Sequence, residues 1–161
     1  MSTFREASFE DLAVLEALVG RPLAGRCAVV ARRLDGRPVV IENEPHLRDA
    51  TPMPTLFWLV DTELHAAVSR LESDGGVHRF EAMVDPVRLR ATHDAYAERR
   101  RVATVRVEAV QARGGVGGTR VGVKCLHAHL ANYLVGADDP VGELVAEAID
   151  VPALRVELVR D

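Results

Sequence analysis

The segment CAVVARRLDGRPVVIEN, which begins at Cys27, constrains the fold more than any other part of the sequence. It places two runs of β-branched residues on either side of Asp35-Gly36, a dipeptide favoured in tight hairpin turns. The segment therefore predicts an antiparallel hairpin from about Cys27 to Glu42. After a loop stiffened by three prolines, the apolar and aromatic residues from Thr55 to Val60 predict a third strand.

Helix-capping residues predict about four helices packed with this sheet. The start signals are Ser8, Asp61, Asp85-Pro86 and Asp139-Pro140. The alternating run VATVRVEAV, from Val102 to Val110, predicts a further strand, and LRVELV near the C-terminus is compatible with an edge strand. Because hairpin strands and helices do not alternate strictly, the predicted class is α+β, a single compact domain over residues 1–161 with a small, mostly antiparallel sheet.

Composition and charge limit the classes of function. With 161 residues, 48% of them hydrophobic and 27% charged, the chain is expected to fold without disulfides or a structural metal. The formal net charge of -4 argues against nucleic acid as a partner, since no global positive field is available. Charges interrupt the N-terminal residues before any long apolar run, so we expect a cytoplasmic protein without membrane contact and with two free thiols.

The stretch GGVGGTRVGVKCLHAHLANYL, residues 114–134, gathers most of the candidate chemistry. Its glycines match neither the phosphate-binding loop nor the dinucleotide-binding fingerprint. A looser interpretation remains, a loop before a helix N-terminus that could hold a carboxylate or phosphate. Lys124, the only lysine in the chain, follows that loop and would add a positive charge.

The segment KCLHAHL gives different sites at different periods. In a strand, Cys125, His127 and His129 would share one face as three metal ligands. In a helix, Cys125 and His129 would lie together one turn apart while His127 falls on the opposite border. The alanines and leucines favour a helix, so a divalent ion such as zinc would need Cys125, His129 and a carboxylate such as Asp139. The alternative is a buried thiol beside a helix-border histidine.

A second group of polar residues follows Pro86. His93, Tyr96 and Arg100 continue a helical stripe that begins at Leu89. They would form a pocket wall opposite Lys124, or they would belong to a boundary helix whose long polar side chains extend to water.

Four stretches of the sequence carry a family resemblance. They are GRPVVIENEPHLRDATPMPTLFWL, LESDGG, THDAYAERR and VGGTRVGVKCLHAHLANYLVGADDPVG. In these the chain resembles the bacterial domain-of-unknown-function family five-zero-one, which implies a cytoplasmic bacterial protein of unassigned activity. The resemblance also implies cysteines where this chain has Leu34 and Asp61. A thiolate cluster around Cys125 is then excluded here, which shifts weight toward Lys124, His127 and His129.

Three functions stay open on the sequence alone. The first is a binding or regulatory module for a small anionic molecule, with positive charge from Lys124 and Arg100. Its hydrogen bonds would come from His127 or His129, beside the wall of His93 and Tyr96. The second is a metal-assisted hydrolase that uses Cys125, His129 and a carboxylate. The third is a protein-interaction domain that presents the proline-rich loop and Trp58, although we expect Trp58 to be buried in its strand.

Overall fold

The structure is a computed structural model that describes residues 4–157. Its strands are β1 (Cys27–Arg33), β2 (Pro38–Asn43), β3 (Phe57–Leu59) and β4 (Leu154–Val156), which form one antiparallel sheet in the order β3-β2-β1-β4. Its helices are α1 (Phe9–Val19), α2 (Thr62–Ser73), α3 (Gly76–Met83), α4 (Pro86–Ala103), α5 (Leu126–Leu134) and α6 (Pro140–Ala148). The α+β class is confirmed.

The hairpin forms as its turn residues predict. Strands β1 and β2 pair antiparallel, with Cys27 opposite Asn43 and Arg32 opposite Pro38. Gly36 has φ 95°, a left-handed conformation that glycine adopts without steric cost, and its N–H donates to the Arg33 carbonyl. The third strand also forms, and Glu42 of β2 lies opposite Phe57 of β3.

The predicted helix starts are present, and each cap is a side-chain oxygen that accepts a backbone N–H of the first turn. The cap residues are Ser8, Asp61, Asp85 and Asp139. Helix α3 was not predicted. Only Asp74 and Gly75 separate it from α2, and Gly75 has a left-handed φ of 77°. In the sequence, the paired glycines Gly75 and Gly76 indicate a helix end followed by a loop, so the second helix is not recognised.

The sheet carries an apolar cluster on each face because alternate residues of a strand point in opposite directions. Cys27 and Val29 pack with Leu15 of α1 on one side. Ala28 and Val30 face the larger core, which α2–α6 complete. Helix α5 lies in this larger core, where it packs against β3, α2 and α6.

The strand predicted from Val102 to Val110 is wrong. Helix α4 continues through Ala103, and the rest of the segment is irregular with its valines exposed. An alternating run forms a strand only when a neighbouring strand takes up its hydrogen bonds. Here the Gln111 side chain donates to the carbonyls of Arg106 and Ala109 instead.

Between residues 4 and 157, no helix is both long enough and apolar enough to cross a bilayer.

Candidate metal centre

Three metal-ligating side chains meet where α2 ends and α5 begins. Glu72, Cys125 and His127 place one ligand atom each within 4.8 Å of one another. The Cys125 Sγ lies 3.9 Å from His127 Nδ1, and Glu72 Oε1 lies 3.3 Å from the same nitrogen. All three residues are half-buried, so the cluster is sheltered without being closed to solvent.

The position of Cys125 depends on the start of α5. Cys125 is the N-cap of the helix, and its backbone is extended at φ -147° and ψ 116°. The helix predicted for residues 124–135 therefore starts only at Leu126. Because the extended N-cap turns its side chain out of the helical stripe, Cys125 contacts His127 rather than His129, contrary to the predicted pairing.

Glu72 ties the two helices together. Its Oε1 accepts the backbone N–H of Leu126 at 2.8 Å, which supplies the negative charge that a helix N-terminus favours. A carboxylate from α2 thereby stands where the first turn of α5 would otherwise have an unpaired donor. The predicted metal set of Cys125, His129 and Asp139 is not brought together, since in residues 4–157 Cys125 joins Glu72 and His127.

Contacts of the Nε2 atom fix the orientation of the His127 ring. Nε2 lies 3.1 Å from both the His65 carbonyl and the Ser69 hydroxyl, and the Ser69 hydroxyl itself donates to that carbonyl. Nε2 must therefore carry the proton, and Nδ1 points at the thiol and the carboxylate. Burial lowers the pKa of His127, but the Cys125 contact and the Glu72 charge outweigh it, so the net shift is upward.

Two side chains of α2 complete the surroundings and were not predicted. The His65 ring lies over the His127 ring with 4.2 Å between centroids, and burial together with the His127 charge lowers the pKa of His65. His65, Ser69 and Glu72 are spaced four and three residues apart. That spacing puts all three on one helix face, and this polar stripe is the sequence signal that could have found them.

The cluster opens into a groove of about 700 Å³. Its walls combine the two ligands Cys125 and His127 with His65 and with apolar side chains of β3 and α1, among them Phe57, Trp58, Leu59, Leu18 and Val19. Trp58, expected to be buried, is half-buried and faces this groove. Its exposed edge belongs to a concave site rather than to a protruding surface.

His129 and Asp139 form a different kind of site. Both side chains are completely buried, and His129 Nδ1 lies 2.9 Å from each Asp139 oxygen. Asp139 also accepts Asn132 Nδ2 at 3.0 Å and the Gly142 backbone N–H at 2.9 Å. This network joins α5 to α6 in the core, and the complete burial of His129 and Asp139 favours a structural role.

The polar residues of α4 hold loops in place. Tyr96 Oη accepts the Leu56 backbone N–H at 2.6 Å, and Arg100 donates to the carbonyls of Pro54 and Gly114. His93 Nδ1 accepts the Val116 N–H, and Nε2 donates to the Gly122 carbonyl. Burial lowers the pKa of His93, so this imidazole is neutral with a fixed tautomer.

Lys124 does not form a pocket with the polar residues of α4. Its side chain is exposed and does not line the groove beside the cluster, although Cys125 next to it does. The predicted anion pocket would have joined Lys124 to Arg100, His93 and Tyr96. The three residues of α4 instead turn their polar atoms to the backbone of neighbouring loops, as described above.

Together these observations define an α+β protein with a half-buried Glu-Cys-His cluster at a helix junction. The chain belongs to the family described as "Protein of unknown function (DUF501)", whose sequence pattern matches residues 29–147. The matched region contains most of the hairpin, the cluster and the groove residues of β3, and it confirms the resemblance noted in the sequence. No curated protein and no solved structure matches the chain.

Proposed function

We propose that this protein binds a divalent transition-metal ion through Glu72, Cys125 and His127, and uses it for metal-assisted hydrolysis in the adjoining groove. The observation that carries the proposal is the orientation of His127. Its Nε2–H is held by a carbonyl and a hydroxyl while Nδ1 faces two further ligand atoms. A metal-binding histidine commonly donates its second ring N–H in this way.

The donor set suits zinc or a chemically similar ion. One thiolate, one imidazole and one carboxylate combine the ligand types that Zn²⁺ accepts, whereas Mg²⁺ and Ca²⁺ prefer oxygen donors alone. Three protein ligands leave a fourth tetrahedral position. Catalytic zinc sites keep that position for water or substrate, and structural zinc sites fill it with a fourth side chain.

The surroundings of His127 favour positive charge at this point, since the Cys125 contact and the Glu72 charge raise its pKa despite burial. In the metal-free protein a proton on Nδ1 relieves the repulsion between the imidazole lone pair, the Glu72 carboxylate and the sulfur, which is why the pKa of His127 is raised. A metal ion would take the place of that proton. Its affinity should therefore increase with pH, since the imidazole and the thiol must both lose protons.

The groove supplies the rest of a hydrolytic site. A bound divalent ion lowers the pKa of a coordinated water molecule and thereby provides a nucleophile near neutral pH. His65 is a neutral base beside the cluster and within the groove, suited to receive the proton of that water. The aromatic and aliphatic walls favour a substrate with an apolar portion next to the scissile bond.

The first experiment is a calorimetric titration of chelator-treated protein with Zn²⁺ and, for spectroscopy, with Co²⁺. We expect one equivalent to bind and the Co²⁺ complex to show a thiolate charge-transfer band. Cys125→Ser and His127→Asn should each weaken binding by about 100-fold or more, because each removes a ligand from a three-ligand site. His78→Asn is the matched control, since His78 is exposed and outside the cluster.

Two results would contradict the proposal. One is the absence of stoichiometric binding by the wild-type protein at neutral pH. The other is equal affinity in the wild type and Cys125→Ser. Metal binding without turnover of any ester, amide or phosphoester substrate would retain the metal centre and reject the hydrolase.

A further inference from the structure

A second groove lies between α4 and the segment that follows it. Its volume is about 520 Å³, within the range of small-molecule sites. Residues of α4 line one side and residues 111–115 line another. It shares no lining residue with the groove beside the Glu72 cluster, so it is a separate feature of the molecule.

The lining of this groove is strongly basic although the protein as a whole is acidic. Five arginines contribute to it, against one carboxylate, while the formal net charge of the chain is -4. The arginines are Arg90, Arg100, Arg101, Arg113 and Arg120. Arginine recognises carboxylate and phosphate oxygens with paired N–H donors, so five around one cavity specify an anionic ligand.

Arg100 gives the clearest indication of a missing negative charge. Its side chain is only 5% exposed, and its N–H groups donate to the carbonyls of Pro54, Ala112 and Gly114. In the described part of the chain these carbonyls take the place of a carboxylate partner. Burial lowers the pKa of Arg100, which reflects a charge that is hydrogen-bonded but not neutralised.

The arginines at the rim differ in how far they are already neutralised. Arg90 pairs with Asp94, and Arg101 pairs with Glu98. Arg113 and Arg120 are exposed and make no ion pair within residues 4–157. These two side chains are therefore available to a ligand without breaking an existing contact.

Gly114 and Gly115 form one wall of the groove with backbone atoms alone. A side chain at position 115 would come within 2.6 Å of the His93 ring, and Gly114 has φ 84°, a conformation that favours glycine. His93 and Arg100 both hold this wall by hydrogen bonds to Val116 and Gly114. Hydrogen bonds from α4 therefore fix the position of this wall, and the arginines of the rim lie around it.

We propose that this groove binds a small molecule bearing two or more phosphate or carboxylate groups. Buried Arg100 provides a fixed positive charge at the floor, and Arg113 and Arg120 close on the ligand from the rim. The inference does not rest on the metal centre, because neither the ligands nor the groove walls overlap.

The test uses inorganic pyrophosphate and tripolyphosphate as probes, with thermal shift and calorimetry at near-physiological salt. We expect both probes to raise the melting temperature of the wild type and to bind saturably. The double variant Arg113→Gln/Arg120→Gln should lose at least tenfold in affinity. Neither residue bonds to the core, so folding should be preserved.

Two controls separate this site from other effects. Arg5→Gln/Arg79→Gln removes the same total charge from exposed arginines that line neither groove and should bind like the wild type. Cys125→Ser should also bind like the wild type, which excludes chelation of a metal at the cluster as the source of the signal. Equal affinity of the two double variants, or no saturable binding of either probe, would overturn the proposal. If single-stranded RNA binds and pyrophosphate does not displace it, the proposal is overturned as well, and the surface is a nucleic-acid site.

Discussion

His127 and His129 stand two residues apart on α5, and each is matched with a carboxylate, yet the two pairs have opposite environments. His127 is half-buried and meets Glu72 beside a groove, whereas His129 and Asp139 are completely buried. In each pair the carboxylate also accepts a backbone N–H at a helix start, Leu126 for Glu72 and Gly142 for Asp139. The contrast shows that burial, rather than residue type, separates a candidate reactive site from a structural one.

The largest expected effect comes from truncating the two carboxylates in parallel. Asp139→Ala leaves three buried donors unpaired, from His129, Asn132 and Gly142, and should lower the free energy of unfolding by about 3–5 kcal/mol. Glu72→Ala removes a partly exposed helix cap and should cost about 0.5–2 kcal/mol. Urea unfolding of the metal-free proteins measures both values. Equal losses would remove the distinction between the two pairs.

A smaller effect is expected from the contact that brings α6 against α5. A Cβ at position 142 would collide with the His129 carbonyl and lie 2.5 Å from Tyr133 Cβ, so Gly142→Ala should destabilise the fold by about 1–3 kcal/mol. Gly25→Ala is the matched control, because its nearest neighbour is the movable end of the Leu47 side chain at 3.1 Å. Thermal unfolding of both variants tests the difference. A Gly142→Ala protein as stable as Gly25→Ala would show that the close approach of α6 to α5 is not required for stability.

The smallest expected effect is the pH dependence contributed by His127. A folded-state pKa raised above the ordinary value of 6.5 adds stability below that pH, and this contribution is lost as pH rises through the folded-state pKa. Glu72 and Cys125 face this imidazole directly, and His65 lies against its ring. The stability difference between wild type and His127→Asn in metal-free protein should therefore be larger at pH 5 than at pH 8. A difference that grows toward pH 8 would contradict the raised pKa.

The sequence predicts the elements of this fold where local signals are sufficient. Asp35-Gly36 and the capping residues define the hairpin and most helix starts, because turn and cap geometry depend on a few neighbouring residues. Val102–Val110 shows the limit of such signals. Alternation describes what a strand would bury, but strand formation depends on a partner that the local sequence does not contain.

The candidate site was predicted only in part for a related reason. The segment KCLHAHL locates Cys125 and His127, but Glu72 lies more than fifty residues earlier in the chain, on a helix whose packing against α5 is decided by the core. Because the N-cap residue Cys125 is extended, its side chain contacts His127 and not the expected His129. Both features arise from tertiary packing, which a helical wheel of one segment does not include.

The sheet described above has two long central strands and two edge strands of three residues each. An edge strand presents unpaired N–H and C=O groups to other chains, and the length of that row decides how well it can template intermolecular pairing. Edges this short offer few sites for strand addition. The aggregation resistance of the folded protein should therefore depend on keeping β1 and β2 enclosed, and partial unfolding that releases β3 or β4 would expose the most aggregation-prone strands of the chain.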